Sequence, residues 1–547
     1  MKKIILIAFT LQINMSINAQ NIRTKIDEIF NEWNQGNHPG GVISILKNDD
    51  LFFSKAYGYA NIKYNIKTTK ETIFNIGSVS KQFTAMAIVL LHLEGKLSID
   101  DDIRNYLPEL YDFENTITIR HLLHHTSGFR STPELFGLAG WKDGDAITTD
   151  DDYRYFCKQN SLNFLPGSQF MYTNSGYILL AKIVENVTHQ KFNIWMKTNI
   201  FIPLGMNATF VDETNSNSIP EIATPYHQVG EKQFIVGENM NLDIGASNVY
   251  TTVSDLTKWM TNFSNPIESF KAAFNLLQIT DTLNNGASNN YAFGVVKDDF
   301  YGNKRIQHTG AVPGFLAYAM YYPEENITLI LLSNFTSYGV NEKYNKLSKL
   351  FLKDKTLKAK KQTKHESIPL DIKFAQTIVG DFWNTAENYA RRVYLEQDTL
   401  WYSRDNGIKS PLIQIDTNQF MIGNISAFVT VQFEVGSKKK MIIKDGDQPI
   451  KQLEDYDNTP LTQVKKQEYT GTYYSTELET TYKLTLINDQ LTGYHSRHGE
   501  FPIAILKEDI TNWSDMAIVK YKRNLKNEVI GFYLNMNRVK NVWFEKQ

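Results

Sequence analysis

The stretch Phe74-Asn75-Ile76-Gly77-Ser78-Val79-Ser80-Lys81-Gln82-Phe83 reads as an extended segment, a glycine turn and the start of a helix. The helix continues through Ala85, Met86, Ile88, Val89, Leu90 and Leu91 to Glu94, with Gly95 as its stop. It is apolar nearly all round, which predicts burial. Ser78 and Lys81 stand three residues apart and share a face. The serine meets the positive end of the helix dipole and backbone N–H groups that stabilise developing negative charge. A desolvated lysine one turn on can lose its charge and take the serine's proton. A serine capping the helix fits the same placement, so on the helix alone both readings stand.

The Ser-x-x-Lys pattern occurs twice more. Ser44-Ile45-Leu46-Lys47 lies in a Val/Ile-rich run read as a strand, where residues three apart point to opposite faces. Ser437-Lys438-Lys439-Lys440 lies in a polar turn. Only Ser78 and Lys81 open a buried helix.

Before that stretch, Met1-Lys2-Lys3 and the apolar run Ile4–Leu11 read as a secretory signal over residues 1–19, cut after Ala19. The expected product is exported, periplasmic or secreted. The run is too short to span a membrane and no later stretch is long enough. The single cysteine, Cys157, has no partner for an internal disulfide. A length of 547 residues predicts several domains, and a net charge of −2 gives no reason to expect a nucleic-acid partner. Helical spacing over Asn21–Trp33 and a β-hairpin pattern over Val42–Tyr57 precede the serine helix.

Downstream, Ile117–Gly128 holds His121, His124 and His125. His121 and His125 are one helical turn apart, but no glutamate sits between them as in the helical zinc-protease motif. Structural hydrogen bonding is the expected role, and no metal is expected. Leu165-Pro166-Gly167 leads a loop through Tyr172-Thr173-Asn174 into the apolar helix Ile178–Val184. A tyrosine so placed can carry a proton, and Asn174 can orient a substrate amide. Arg305 to Phe315, containing His308-Thr309-Gly310-Ala311, is expected to form an extended strand whose glycines admit a ligand backbone, with a second strand over Ile327–Leu332.

Ser78-Val79-Ser80-Lys81, Tyr172-Thr173-Asn174 and His308-Thr309-Gly310, in that order, resemble the serine β-lactamase and penicillin-binding-protein superfamily. The closest look is to class C β-lactamases and their related esterases and D-aminopeptidases. His125-Thr126-Ser127-Gly128, Pro203-Leu204-Gly205-Met206 and Gly245-Ala246-Ser247-Asn248-Val249-Tyr250 strengthen the likeness. The resemblance implies an α+β fold over residues 21–352, an antiparallel sheet flanked by helices beside a helical subdomain. It implies Ser78 as the nucleophile and Lys81 as the group that helps remove its proton. Tyr172 would serve as general base and acid, and Asn174 would bind the substrate amide. The backbone N–H groups of Ser78 and Ala311 would form the oxyanion hole, and His308, Thr309 and Gly310 would line the substrate. No cofactor is implied.

Many relatives carry lysine at the position of His308. An imidazole of ordinary pKa, near ~6.5, is mostly neutral at neutral pH and attracts a carboxylate weakly. The implied activity is therefore hydrolysis of amides or esters in small molecules or short peptides, including D-residue peptides. β-Lactamase or D-Ala-D-Ala carboxypeptidase activity is the enzymatic alternative, and a cell-wall-fragment or β-lactam sensor the non-turnover one. Oligomeric state is left open.

A lysine-rich run over residues 353–367 reads as a linker. Beyond it Gly380-Asp381-Phe382-Trp383 recurs as Gly471-Thr472-Tyr473-Tyr474, and Asp398 recurs as Asp489 at the same offset. Each unit, 368–455 and 462–547, has room for about eight short strands, enough for a small all-β barrel. Both resemble the lipocalin-like barrels appended to some D-aminopeptidases. They either shape the active-site cleft or serve as stabilising modules.

Overall fold

The computed structural model describes residues 20–356 and 367–547, apart from 143, 215–218, 220, 231, 238–242, 405–406, 426–427, 447–449 and 515–516. The expected signal over 1–19 and most of the lysine-rich run lie outside the described residues. The chain divides into two compact units, Met1–Ala359 with Arg538–Asn541, and Lys360–Asn537 with Val542–Gln547. Among the described residues no helix is long and apolar enough to cross a membrane.

A six-stranded antiparallel sheet organises the first unit. Its spatial order is Val296–Phe300, Asn303–Val312, Phe315–Tyr322, Ile327–Ser333, Gly41–Lys47 and Asp50–Tyr57. The last two form the predicted hairpin, turned at Asn48 and Asp49 with φ of 53° and 67°, as the twist of paired strands requires. Ile327–Ser333 is buried throughout. Leu329 and Leu331 pack with Phe30, Trp33 and Tyr344 on one face. Ile330 and Leu332 pack with the serine helix on the other. A strand covered on both faces reads as the continuous apolar run seen in the sequence.

The single strand expected over Arg305–Phe315 is instead the start of a hairpin. Asn303–Val312 ends at Pro313, and Phe315 begins the next strand. Gly314 makes the turn with φ +78°, and its absent Cβ would fall 2.3 Å from Pro225. The serine helix also begins later than expected. Gly77–Ser80 is a 3₁₀ turn, and the α-helix runs Lys81–Leu93. The second apolar helix is Ser175–Thr188. Ser44 lies in its strand and accepts a hydrogen bond from the Thr257 hydroxyl at 3.1 Å, so it does not open a helix.

Beyond residue 367 the chain forms two closed antiparallel barrels of eight strands each, Gly380–Asp455 and Gly471–Lys546. Short strands with buried residues at alternate positions account for both.

Candidate active site

The serine turn is pressed against the sheet. The side chain of Asn75 accepts from the Gly77 N–H at 2.8 Å, and Asn75 in turn donates to Asn248 at 3.2 Å. Gly77 has φ +49°, and a Cβ there would stand 2.7 Å from the Ala311 nitrogen. A Cβ on Gly310 would stand 1.9 Å from the Ile76 oxygen. These two glycines bring the backbone of Ser78 beside that of Ala311, the pair that the family resemblance implies as oxyanion donors.

Ser78 is half-buried and Lys81 is fully buried. Lys81 Nζ lies 3.1 Å from Ser78 Oγ, 2.9 Å from Asn174 Oδ1 and 2.9 Å from the Ala246 carbonyl oxygen. Burial lowers its pKa from the ordinary value to about 7, against the opposing charge of Asp243. The neutral amine has two N–H bonds and one lone pair. With the hydrogens on Asn174 and Ala246, the lone pair is left for the Ser78 hydroxyl.

The Tyr172 ring lies under Lys81, with Nζ 5.0 Å from its centroid. Its hydroxyl is buried beside Ser78 without the alignment of a full hydrogen bond. Burial raises the phenol well above its ordinary pKa, and the serine only partly offsets this. At rest Tyr172 is therefore a proton donor, and the group with a pKa near neutrality is Lys81.

Asn174 is held at both ends. It accepts from Lys81 and donates through Nδ2 to Asp243 Oδ2 at 2.7 Å. Its carbonyl oxygen and one N–H are thus engaged inside the protein. Asp243 was not singled out from the sequence, although it begins the stretch that supplies the Ala246 carbonyl. Burial holds its carboxyl above the ordinary pKa, opposed by the Asn174 hydrogen bond and by Lys81.

His308 lies on the cleft strand and is 5% exposed. Its Nδ1 is 2.6 Å from the Thr309 carbonyl oxygen, and Nε2 is 2.9 Å from the Tyr291 hydroxyl. A carbonyl only accepts, so Nδ1 carries the hydrogen and Tyr291 donates to Nε2. Burial, reinforced by the charge of Lys81, lowers the imidazole pKa to about 3. The expected pKa near ~6.5 is corrected: the ring is neutral throughout the physiological range, and both nitrogens are occupied. Tyr291 is a second residue the sequence reading missed.

Of the other histidines, His125 is buried against Tyr172 and Tyr291, with centroids 4.4 Å away in each case. Its Nδ1 accepts from the Thr173 N–H at 3.4 Å. His124 Nδ1 lies 2.7 Å from the Tyr291 carbonyl, and His121 Nδ1 accepts from the Thr118 N–H at 3.1 Å in a capping box. Each ring is used to hold a loop or a helix end.

Ser78, Phe170, Tyr172, Tyr291, His308 and Thr309 are among the residues lining a cavity of about 600 Å³, which Ala311 also borders. That size suits a small ligand. Gly310 contributes its close approach to the serine turn rather than a wall.

The profile of the Beta-lactamase family matches residues 19–351. Protein flp of Staphylococcus aureus (strain N315) is 29% identical over 327 residues, covering 57% of this chain and 63% of flp. The chain thus spans less than two thirds of that relative's length. In fold, the chain is similar to the octameric penicillin-binding protein homologue from Pyrococcus abyssi. The TM-score is 0.53 at 23% identity, covering 80% of this chain and 99% of that one. It is also similar in fold to the D-amino acid amidase from Ochrobactrum anthropi SV3, with TM-score 0.51 at 20% identity, over 60% of this chain and 98% of that one. The family profile covers more than half of the sequence and includes the whole Ser78–Lys81–Tyr172–His308 constellation, and the chain belongs to the β-lactamase family.

Proposed function

We propose that the enzyme hydrolyses amide or ester bonds of small substrates that place no carboxylate against His308, short D-residue peptides attacked at their N-terminal residue among them, through an acyl-enzyme on Ser78. The observation that carries this reading is the occupied, neutral imidazole of His308. A cavity wall without a cation there leaves a substrate carboxylate under-compensated.

In the proposed reaction Ser78 Oγ attacks the substrate carbonyl carbon while its proton passes to Lys81 Nζ. The new oxyanion takes hydrogen bonds from the Ser78 and Ala311 backbone N–H groups. Tyr172 then gives its hydroxyl proton to the leaving nitrogen or oxygen as the scissile bond breaks. The proton held on Lys81 restores the phenol. Water repeats the sequence on the acyl-enzyme, releasing the carboxylic acid and regenerating Ser78. Asn174 and the Ala246 carbonyl hold the lysine in place throughout. That a D-amino acid amidase shares this fold is consistent with the substrate class.

The test is turnover on a panel of amino-acid p-nitroanilides in both configurations, p-nitrophenyl esters and a chromogenic cephalosporin. Turnover of the anilides or esters with none of the cephalosporin supports the reading. Preferred cephalosporin hydrolysis refutes the substrate class, and a stoichiometric burst without turnover refutes hydrolysis as the function.

A further inference from the structure

Phe170 stands at the active-site cavity with 45% of its surface exposed. A single exposed apolar ring is ordinary, but this one is part of a continuous apolar wall. Its centroid lies 6.0 Å from that of Tyr291, with the planes tilted by 33°. Tyr291 forms a β-bridge with Val296, and all three residues border the cavity. An apolar wall inside a concave site is where the apolar body of a small ligand is recognised.

The fold fixes this wall on both sides. Before Phe170, the Gly167 N–H donates to the Thr126 carbonyl at 2.8 Å, and the Gly167 carbonyl accepts from the Asn284 N–H at 2.9 Å. The Pro166 carbonyl accepts from Asn284 Nδ2 at 2.9 Å. After Phe170, the Met171 N–H donates to the His125 carbonyl at 2.9 Å. Tyr291 is held by its hydroxyl on His308, by its carbonyl on His124 Nδ1 at 2.7 Å and by its N–H on the Asn289 side chain at 3.1 Å. A wall fixed in advance loses little freedom when a ligand covers it, which favours selective binding.

The wall begins beside the proton donor. The Tyr291 centroid is 5.8 Å from that of Tyr172, and in the proposed reaction Tyr172 gives its proton to the leaving atom. Phe170 precedes Tyr172 by two residues on the same loop. The apolar surface therefore adjoins the leaving-group side of the scissile bond. Among the described residues bordering the cavity, the groups that titrate are Tyr172, Tyr291 and His308. Burial raises both phenols and lowers the imidazole, so none is charged at neutral pH. A charged leaving group would find no counter-ion on this wall.

We propose, on the acyl-enzyme reading above, that Phe170 selects the leaving group, and that this group is an uncharged alcohol or amine carrying an aromatic or bulky aliphatic body. With an ester, the bond from the carbonyl carbon to the alkoxy oxygen breaks and that oxygen takes the Tyr172 proton. The acyl group stays on Ser78 Oγ until water releases it as the acid. The departing body lies against Phe170, Tyr291 and Val296.

The test is kcat/KM of the full chain for benzyl acetate, methyl acetate and 4-carboxybenzyl acetate. The acyl group is the same in all three, and benzyl alcohol and methanol are of nearly equal acidity, so the ratio reads recognition of the leaving group rather than its ease of departure. Benzyl acetate should exceed both of the others by about tenfold or more. Phe170→Ala should lower the benzyl-to-methyl ratio by about tenfold, and Phe170→Leu, which keeps apolar bulk, should recover most of it. A mere loss of folded protein lowers both rates together and leaves the ratio unmoved. Phe170→Arg, at this half-exposed position, should raise the 4-carboxybenzyl-to-benzyl ratio by about tenfold or more. If Phe170→Ala lacks a cooperative melt, Phe170→Arg decides. Hydrolysis of none of the three esters would overturn the acyl-enzyme reading and this proposal with it. Hydrolysis of all three at equal kcat/KM, or ratios unchanged in whichever variant folds, would overturn the assignment of Phe170 alone.

Discussion

Tyr291 donates its phenolic hydrogen to Nε2 of His308 across 2.9 Å. This bond, with the one from Nδ1 to the Thr309 carbonyl, fixes the tautomer and removes the ring from the pool of groups that titrate near neutrality. The ratio of kcat/KM for a carboxylate substrate to that for its amide should therefore stay flat between pH 8 and 5, pH values far above the imidazole pKa of about 3. A rise in that ratio through pH 6.5 would contradict the assigned hydrogen bonds. His308→Lys should raise the ratio about tenfold, the equivalent of ~1.4 kcal/mol of recovered attraction.

The acid limb of kcat/KM should reflect Lys81. Its folded pKa is depressed to about 7, so below that pH the nitrogen is protonated and has no lone pair for Ser78. Activity should fall about tenfold per pH unit on the acid side and level off above neutrality. A limb near pH 5 or below would show that another group accepts the proton.

Asp243→Asn tests the buried chain Lys81–Asn174–Asp243. The carboxylate raises the pKa of Lys81 against the effect of burial, so its loss should move the acid limb to lower pH. Asn174 also loses its anchor, and kcat should drop by about 10- to 100-fold with a smaller change in KM. A variant that loses stability but keeps the wild-type limb and kcat would make Asp243 a packing residue.

Ser78→Ala should abolish hydrolysis and fluorophosphonate labelling while leaving the melting transition intact. Peptide mapping of the labelled wild type should find the adduct on Ser78. Label on Ser44, which is buried in its strand, or on Ser437 would displace the nucleophile assignment.

Much of the site was legible because its parts are local. A glycine turn before an apolar helix places Ser78 and Lys81 without reference to anything distant. The Pro166-Gly167 lead-in does the same for Tyr172 and Asn174. What the sequence did not reveal depends on residues brought together by the fold. Asp243 meets Asn174 across 69 positions and Tyr291 meets His308 across 17, with no periodic signal marking either. The pKa of His308 was misjudged for the same reason. Its shift comes mainly from burial, which a single motif does not encode. The hairpin at Pro313-Gly314 was visible as residues but read as a continuous strand, because alternation persists on both sides of the turn.

The pairing of Val42 with Leu332 sets the order in which the chain can become a protein. The first hairpin emerges early in synthesis, yet its partner strand follows only after nearly all of the catalytic unit has been made. Until then Ile43 and Ile45, buried in the finished sheet, line an unpaired edge open to wrong partners. Each barrel closes over a far shorter span, Phe382 meeting Asp455 and Tyr473 meeting Lys546. Contacts that distant in sequence slow folding through the entropy of loop closure. By that measure the unit built on the six-stranded sheet closes over a far longer span of chain than either barrel does.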